Sequence, residues 1–228
     1  LHRSDQFRSK PIAANVTQIA VVIAPRPSFS TELVQRCIVA AEAEGIASLL
    51  VLNKTDLPES AEALARLRPL AELGYPVVAI SAASDSSPIL PFLEKHTTLL
   101  IGQSGMGKST LVNALVPDAH IATAAFSEAL DSGKHTTTHT HLYRVGGNAA
   151  LIDSPGLQEF ALQHVAPEKL AQAFVEFRPY LGQCRFRDCR HQSEPGCSIL
   201  QAAQDNLIDP ARVKLFHLLQ KEYKTAPH

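Results

Sequence analysis

From residue 18 onward, short apolar runs rich in β-branched residues alternate with stretches whose apolar positions recur at helical spacing. QIAVVIA (18–24) reads as a buried strand. The segment from Ser30 to Gly45 reads as a helix with a serine cap and a glycine stop, and Leu33, Val34, Cys37, Ile38 and Ala41 share one face of it. Cys37 is thus expected in the core, as free cysteine usually is. A strand over 46–52, a helix across 59–73 that Pro69 should bend or shorten, a strand over 76–80, a short helix near 87–95 and a strand over 97–101 follow. After Lys108 a helix is predicted to about Val116. HLYRV, the turn Gly146-Gly147-Asn148 and AALI form a hairpin pattern. This alternation predicts an α/β fold with a parallel sheet covered by helices. Residues 117–140 lack periodicity and are expected to be a long, mobile loop; beyond about 163 the strand pattern stops.

Composition narrows the class. The chain has 228 residues, 45% hydrophobic and 19% charged, as in a soluble globular protein. It carries no apolar run of the roughly 20 residues that span a bilayer, so no membrane partner and a cytoplasmic setting are expected. A net charge of −1 excludes overall electrostatic steering toward nucleic acid. Three of the four cysteines, Cys184, Cys189 and Cys197, crowd near the end, which favours a metal over disulfides. The chain begins at Leu1 in a polar, basic stretch (His2, Arg3, Arg8, Lys10) that reads as a linker.

Gly102-Gln103-Ser104-Gly105-Met106-Gly107-Lys108-Ser109 fits G-x-x-x-x-G-K-S, between an apolar strand and a helix. Backbone N–H groups of such a loop wrap phosphate oxygens, and the helix N-terminus adds partial positive charge. Lys108 is expected to reach the β- and γ-phosphates, and Ser109 to hold Mg²⁺, with Thr110 beside it. Asn53-Lys54-Thr55-Asp56 follows the strand over 46–52 and fits N-K-x-D. This run resembles the guanine-specificity motif of GTPases, which implies that Asp56 accepts from guanine N1–H and the exocyclic amine, that Asn53 braces the loop and that the Lys54 stem packs on the base; a buried Asp56 would be left unpaired by adenine. Ser81-Ala82 stands at the end of the next strand and resembles the short S-A element of GTPases, whose backbone contacts the guanine oxygen. Asp153-Ser154-Pro155-Gly156 fits D-x-x-G, by itself a common turn, and resembles the GTPase element whose aspartate supports Mg²⁺ through water and whose glycine senses the γ-phosphate, which implies those roles for Asp153 and Gly156. N-K-x-D and S-A precede the phosphate loop and D-x-x-G comes last, which is the circularly permuted order of a GTPase. Sites built from strand ends tolerate such a change.

Lys134-His135-Thr136-Thr137-Thr138-His139 lies where switch I belongs. Thr137 is the expected Mg²⁺ and γ-phosphate contact, with Thr136 and Thr138 as competitors. The residue after D-x-x-G is Leu157, which cannot orient water; His135 is the candidate for that role, a solvated loop histidine being the alternative. His135, His139 and His141 have no neighbouring cysteine or acid to complete a metal site.

Cys184-x4-Cys189-x-His191-x5-Cys197 offers three thiolates and an imidazole, suited to one tetrahedral structural Zn²⁺, against free thiols in a loop-rich region. PYLGQ and EPGCS have little core of their own. Helical patterns flank them: one from Pro167 with Leu170, Phe174 and Phe177, one capped by Asp209 with Val213, Phe216, Leu219 and Tyr223. Arg178, Arg185, Arg187 and Arg190, with Phe186 among them, form either an RNA-phosphate face or a solvated basic surface.

Together with K-P-I-A-A-N-V (10–16) and G-K-H-T-T-T, these motifs resemble the RsgA (YjeQ) family of small-ribosomal-subunit-dependent GTPases over nearly the whole chain. The resemblance implies a linker from an N-terminal OB-fold at 1–16, a permuted GTPase domain at 17–163 and a C-terminal zinc domain at 164–228. It also implies GTP/GDP with Mg²⁺ as ligands, the small ribosomal subunit and its rRNA as partners, and a role in late small-subunit maturation. A monomer is expected. Two alternatives stand beside this reading: a permuted GTPase of large-subunit assembly, and an RNA-binding zinc module that uses nucleotide only as a switch.

Overall fold

The structure is a computed structural model and describes residues 2–5, 8–11, 15–119, 140–153, 165 and 167–225. Six strands form one sheet: β3 (Gln18–Ile23), β4 (Ala47–Leu52), β5 (Val77–Ala79), β6 (Thr97–Ile101), β7 (His141–Arg144) and β8 (Ala150–Asp153). Their order is β5-β4-β3-β6-β8-β7; all pairs are parallel except β7 with β8. The central strands are buried end to end, which explains their unbroken apolar runs. Before them, where the sequence reads as linker, β1 (His2–Asp5) and β2 (Arg8–Pro11) pair as a separate antiparallel ribbon.

Helix α1 (Thr31–Ala43) is capped by Ser30, whose Oγ accepts from Leu33 N. It buries Val34, Cys37, Ile38 and Ala41 as its periodicity requires. Helix α2 (Ser60–Glu72) runs through Pro69 instead of being shortened by it. The proline removes one helical hydrogen bond near the end, while Ala63, Leu67 and Leu70 keep the helix buried on either side of it. A 3₁₀ turn leads into α3 (Leu90–Leu93), and α4 (Lys108–Leu115) follows β6.

The C-terminal part contains α5 (Pro167–Gln172), a 3₁₀ segment (Val175–Tyr180), α6 (Ser198–Gln204) and α7 (Pro210–Thr225). The metal-motif stretches do lack a core, but the flanking elements provide one. Phe174 and Phe177 stack at 4.8 Å, and Phe216 meets both edge-on at 5.6 and 5.3 Å. Helix α6, which the sequence pattern did not announce, buries Ile199 and Ala202 beneath them.

The chain runs β3-β4-β5 to one side and then returns to place β6 against the other edge of β3. That reversal opens a crevice at the carboxyl ends of the strands, where ligands of such sheets bind. Asn53, Ser81, Gly102 and Asp153 all stand at those ends.

Candidate nucleotide site and metal centre

The phosphate loop is held by close backbone approaches. Gly102 (φ 151°) lies so near the Val22 carbonyl that a Cβ would overlap it. Gly107 (φ 89°) is the left-handed cap of α4, and a Cβ there would strike the Asn53 amide. Met106 is buried and Ser104 and Gly105 are exposed, while Ser109 and Thr110 lie half-buried in the first turn of α4.

Asn53 is the centre of the arrangement. It is 2% exposed; its Nδ2 donates to the Met106 carbonyl at 3.0 Å, and its Oδ1 accepts from Lys54 N at 2.8 Å and Ala82 N at 2.9 Å. One side chain thereby joins the phosphate loop, N-K-x-D and the S-A element. Lys54 spans the same gap, its Nζ donating to the Arg26 and Gly105 carbonyls at 2.9 and 2.7 Å. Ser81 Oγ donates to Asp56 Oδ1 at 2.6 Å. That hydroxyl, with the aspartate's own backbone, holds the Asp56 carboxyl below its usual range, so it stays an acceptor. The Asp56 carboxylate is exposed at the mouth of the crevice, where a seated base would desolvate it.

Lys108 Nζ donates to the Gly102 and Gln103 carbonyls at 2.7 and 3.1 Å. Burial lowers its pKa, against which the Asp153 charge acts. Asp153 is 1% exposed, its Oδ2 has no hydrogen-bond partner among the described residues, and burial raises its pKa despite Lys108 and His141. A buried carboxylate oxygen without a partner, beside a loop serine and a lysine, fits a hard divalent cation such as Mg²⁺. His135, Thr136, Thr137, Thr138, Gly156 and Leu157 lie outside the described residues.

The Cys184, Cys189, His191 and Cys197 donor atoms all lie within 4.8 Å of one another and can hold a metal ion. Cys184 Sγ is 3.9 Å from Cys197 Sγ and 3.5 Å from His191 Nδ1, which is 3.4 Å from Cys197 Sγ. A tetrahedron with Zn–S of about 2.3 Å and Zn–N of about 2.0 Å has edges of about 3.5–3.8 Å, so the geometry fits. His191 has φ 58°, and its carbonyl accepts from His217 Nε2 at 2.6 Å. The motif reading missed Glu194. Its Oε1 accepts from Arg190 N at 3.0 Å and its Oε2 from Gln192 N and Ser193 N at 2.8 and 3.1 Å, which closes the ligand loop on itself. An acid inside a short Cys/His stretch is the signal that pointed to it.

Arg185, Arg187 and Arg190 are exposed beside this centre, with Arg185 5.5 Å over the Phe186 ring. Arg178 does not join them. It is paired with Glu42 at 2.5 Å and donates to the Gln172 carbonyl at 2.9 Å, so its charge is used inside the molecule.

Sheet order, motif positions and the crevice define a P-loop GTPase fold in circularly permuted order. A family model described as RsgA GTPase matches residues 1–163, and the chain belongs to that family. It is 53% identical over 220 residues to the small ribosomal subunit biogenesis GTPase RsgA of Nitrosospira multiformis, covering 96% of this chain and 70% of that protein. The protein of the same name from Nitrosomonas europaea is 53% identical over 227 residues, 98% of this chain and 72% of that one. Among solved structures, YjeQ from Thermotoga maritima matches with a TM-score of 0.74 at 28% identity, over 93% of this chain and 73% of that one. YloQ, described as a circularly permuted GTPase, matches with a TM-score of 0.74 at 25% identity, over 100% of this chain and 79% of that one.

Proposed function

We propose that this chain hydrolyses GTP in the biogenesis of the small ribosomal subunit, as the names of its relatives describe for them. One observation carries the nucleotide assignment: Asn53 ties the base-reading Asp56–Ser81 pair to the phosphate loop, so guanine recognition and phosphate binding form one hydrogen-bonded unit. In this reading Gly102 to Thr110 cradle the phosphates, Lys108 leaves its loop carbonyls for the β- and γ-oxygens, and Asp56 accepts from the guanine edge. Ser109 and Thr137 would hold Mg²⁺ with support from Asp153, and the ion would supply neutralisation of charge developing on the phosphates. Gly156 senses the γ-phosphate and His135 orients the attacking water. These assignments follow from position in the sequence, and for Asp153 also from its partnerless oxygen.

Residues 17–163 act as the GTPase domain and 164–228 as a metal domain built on one structural Zn²⁺. Exposed Arg185, Arg187 and Arg190 contact rRNA phosphates, which makes binding salt-dependent. The protein works as a cytoplasmic monomer; no described helix is long and apolar enough to cross a membrane.

Multiple-turnover phosphate release from GTP, measured alone and with small or large ribosomal subunits, tests the proposal. Stimulation by the small subunit alone is expected. Stimulation by the large subunit instead would reassign the partner, and binding without turnover would leave a switch rather than an enzyme.

A further inference from the structure

Helix α1 begins at the phosphate loop and is fastened along its length to the C-terminal part. The Ser30 N–H, at its cap, donates to Gln103 Oε1 of the phosphate loop at 3.1 Å. The approach to that cap is pinned from α2: Arg66 donates to the Phe29 carbonyl at 2.7 Å and lies 4.0 Å over the Phe29 ring. Between the first turns of α1 and the loop is a void of about 10 Å³, no more than one water wide, bordered by Ser30, Val34, Cys37, Gly102 and Gln103. The helix start and the loop thus lie close together, and the Gln103 hydrogen bond is the polar link between them.

Further along, the polar side of α1 is gripped by C-terminal elements. Arg36 donates to both carboxylate oxygens of Glu222 on α7 at 2.7 Å, and its side chain is 15% exposed. Arg212, also on α7, donates to Gln35 Oε1 at 3.3 Å and pairs with buried Glu176. Glu42, in the last turn of α1, holds Arg178. A forked arginine–carboxylate pair fixes direction as well as distance, so α7 sets where the 13-residue helix lies, about 20 Å from end to end.

We infer that Gln103 is a positioning residue through which α7, acting on α1 by way of Arg36 and Glu222, sets the shape of the phosphate loop and the residence time of bound nucleotide. The inference rests on the guanine-nucleotide reading above. A partner that pulls on the C-terminal part thereby changes nucleotide binding without touching the crevice, as a coupling between two sites requires.

The test is dissociation of fluorescent mant-GDP from the intact chain, from Arg36→Met and Gln103→Ala, from the double variant, and from Arg36→Lys. Arg36→Met is expected to speed release about 5–10-fold, and Arg36→Lys to restore part of the loss. In the Gln103→Ala background, Arg36→Met is expected to add nothing. Unchanged or slower release from Arg36→Met, or factors that multiply in the double variant, overturns the coupling. Glu222→Gln, which keeps the side-chain shape, gives the same comparison if Arg36→Met does not fold. Wild-type protein that retains no mant-GDP would sink the guanine-nucleotide reading and the coupling with it. Tight wild-type binding with an unaffected Arg36→Met isolates the coupling as the error.

Discussion

The Asn53 amide donates to the Met106 carbonyl at 3.0 Å while its oxygen accepts from two backbone N–H groups, those of Lys54 and Ala82. Asn53→Ala leaves three backbone groups without this partner, those of Met106 and Ala82 buried and that of Lys54 half-buried. Each costs about 1–3 kcal/mol when stranded, though the loops can relax. GDP affinity is expected to fall by at least about 10-fold, read by mant-GDP titration. Gly107→Ala should do the same by another route, because its Cβ would push the Asn53 amide out of place.

In the proposed reading Asp56 meets the base with a carboxylate that Ser81 orients at 2.6 Å. Asp56→Asn puts an amide N–H₂ where guanine presents donors, so two charge-assisted bonds are lost. At about 1.5–3 kcal/mol each, GTP binding should weaken by at least about 100-fold. Xanthine carries a carbonyl in place of the exocyclic amine and can accept from the new amide. Competition between xanthosine and guanosine diphosphates checks the switch; equal loss of both would show that Asp56 acts on the fold and not on the base.

The fold and the crevice were legible because both rest on local rules. Buried parallel strands must be apolar throughout, and a phosphate loop needs glycines where backbone passes close, as Gly102 does against Val22. The contacts that join distant segments were not. Arg178 reads as one of four basic residues near the metal, but Glu42, far away in the chain, claims it. Nothing in spacing announces that Arg36 will meet Glu222. Pro69 does not shorten its helix because helix propensity acts locally, whereas Leu67 and Leu70 are held by the core.

Glu194 organises the metal loop. Burial opposes its ionisation, yet its own backbone N–H and those of Arg190, Gln192 and Ser193 pull the carboxyl down to about 2. A folded value below the ordinary one means that the contribution is fully present above about 4.5 and is lost as pH falls toward about 2. Glu194→Gln should flatten the acid limb of stability. At neutral pH it should lower zinc affinity about 10-fold, as loss of a group supporting metal ligands typically does. Competition with a chromophoric chelator measures this, and Cys197→Ser should abolish stoichiometric zinc altogether.

Asp153 carries the opposite sign. Burial outweighs the nearby Lys108 and raises its pKa, so the folded state favours the protonated form. With a folded value above the unfolded one, its contribution is greatest at low pH and falls as pH rises through that window. At neutral pH, in the absence of a cation, Asp153 is therefore a cost to the fold. Asp153→Asn keeps the shape and removes the charge. It is expected to raise the thermal midpoint of the nucleotide-free protein and to reduce the extra protection that Mg²⁺ gives over nucleotide alone. Scans with and without Mg²⁺·GDP separate the two effects. A lower nucleotide-free midpoint would mean that the Lys108 ammonium depends on this carboxylate more than the carboxylate suffers from burial.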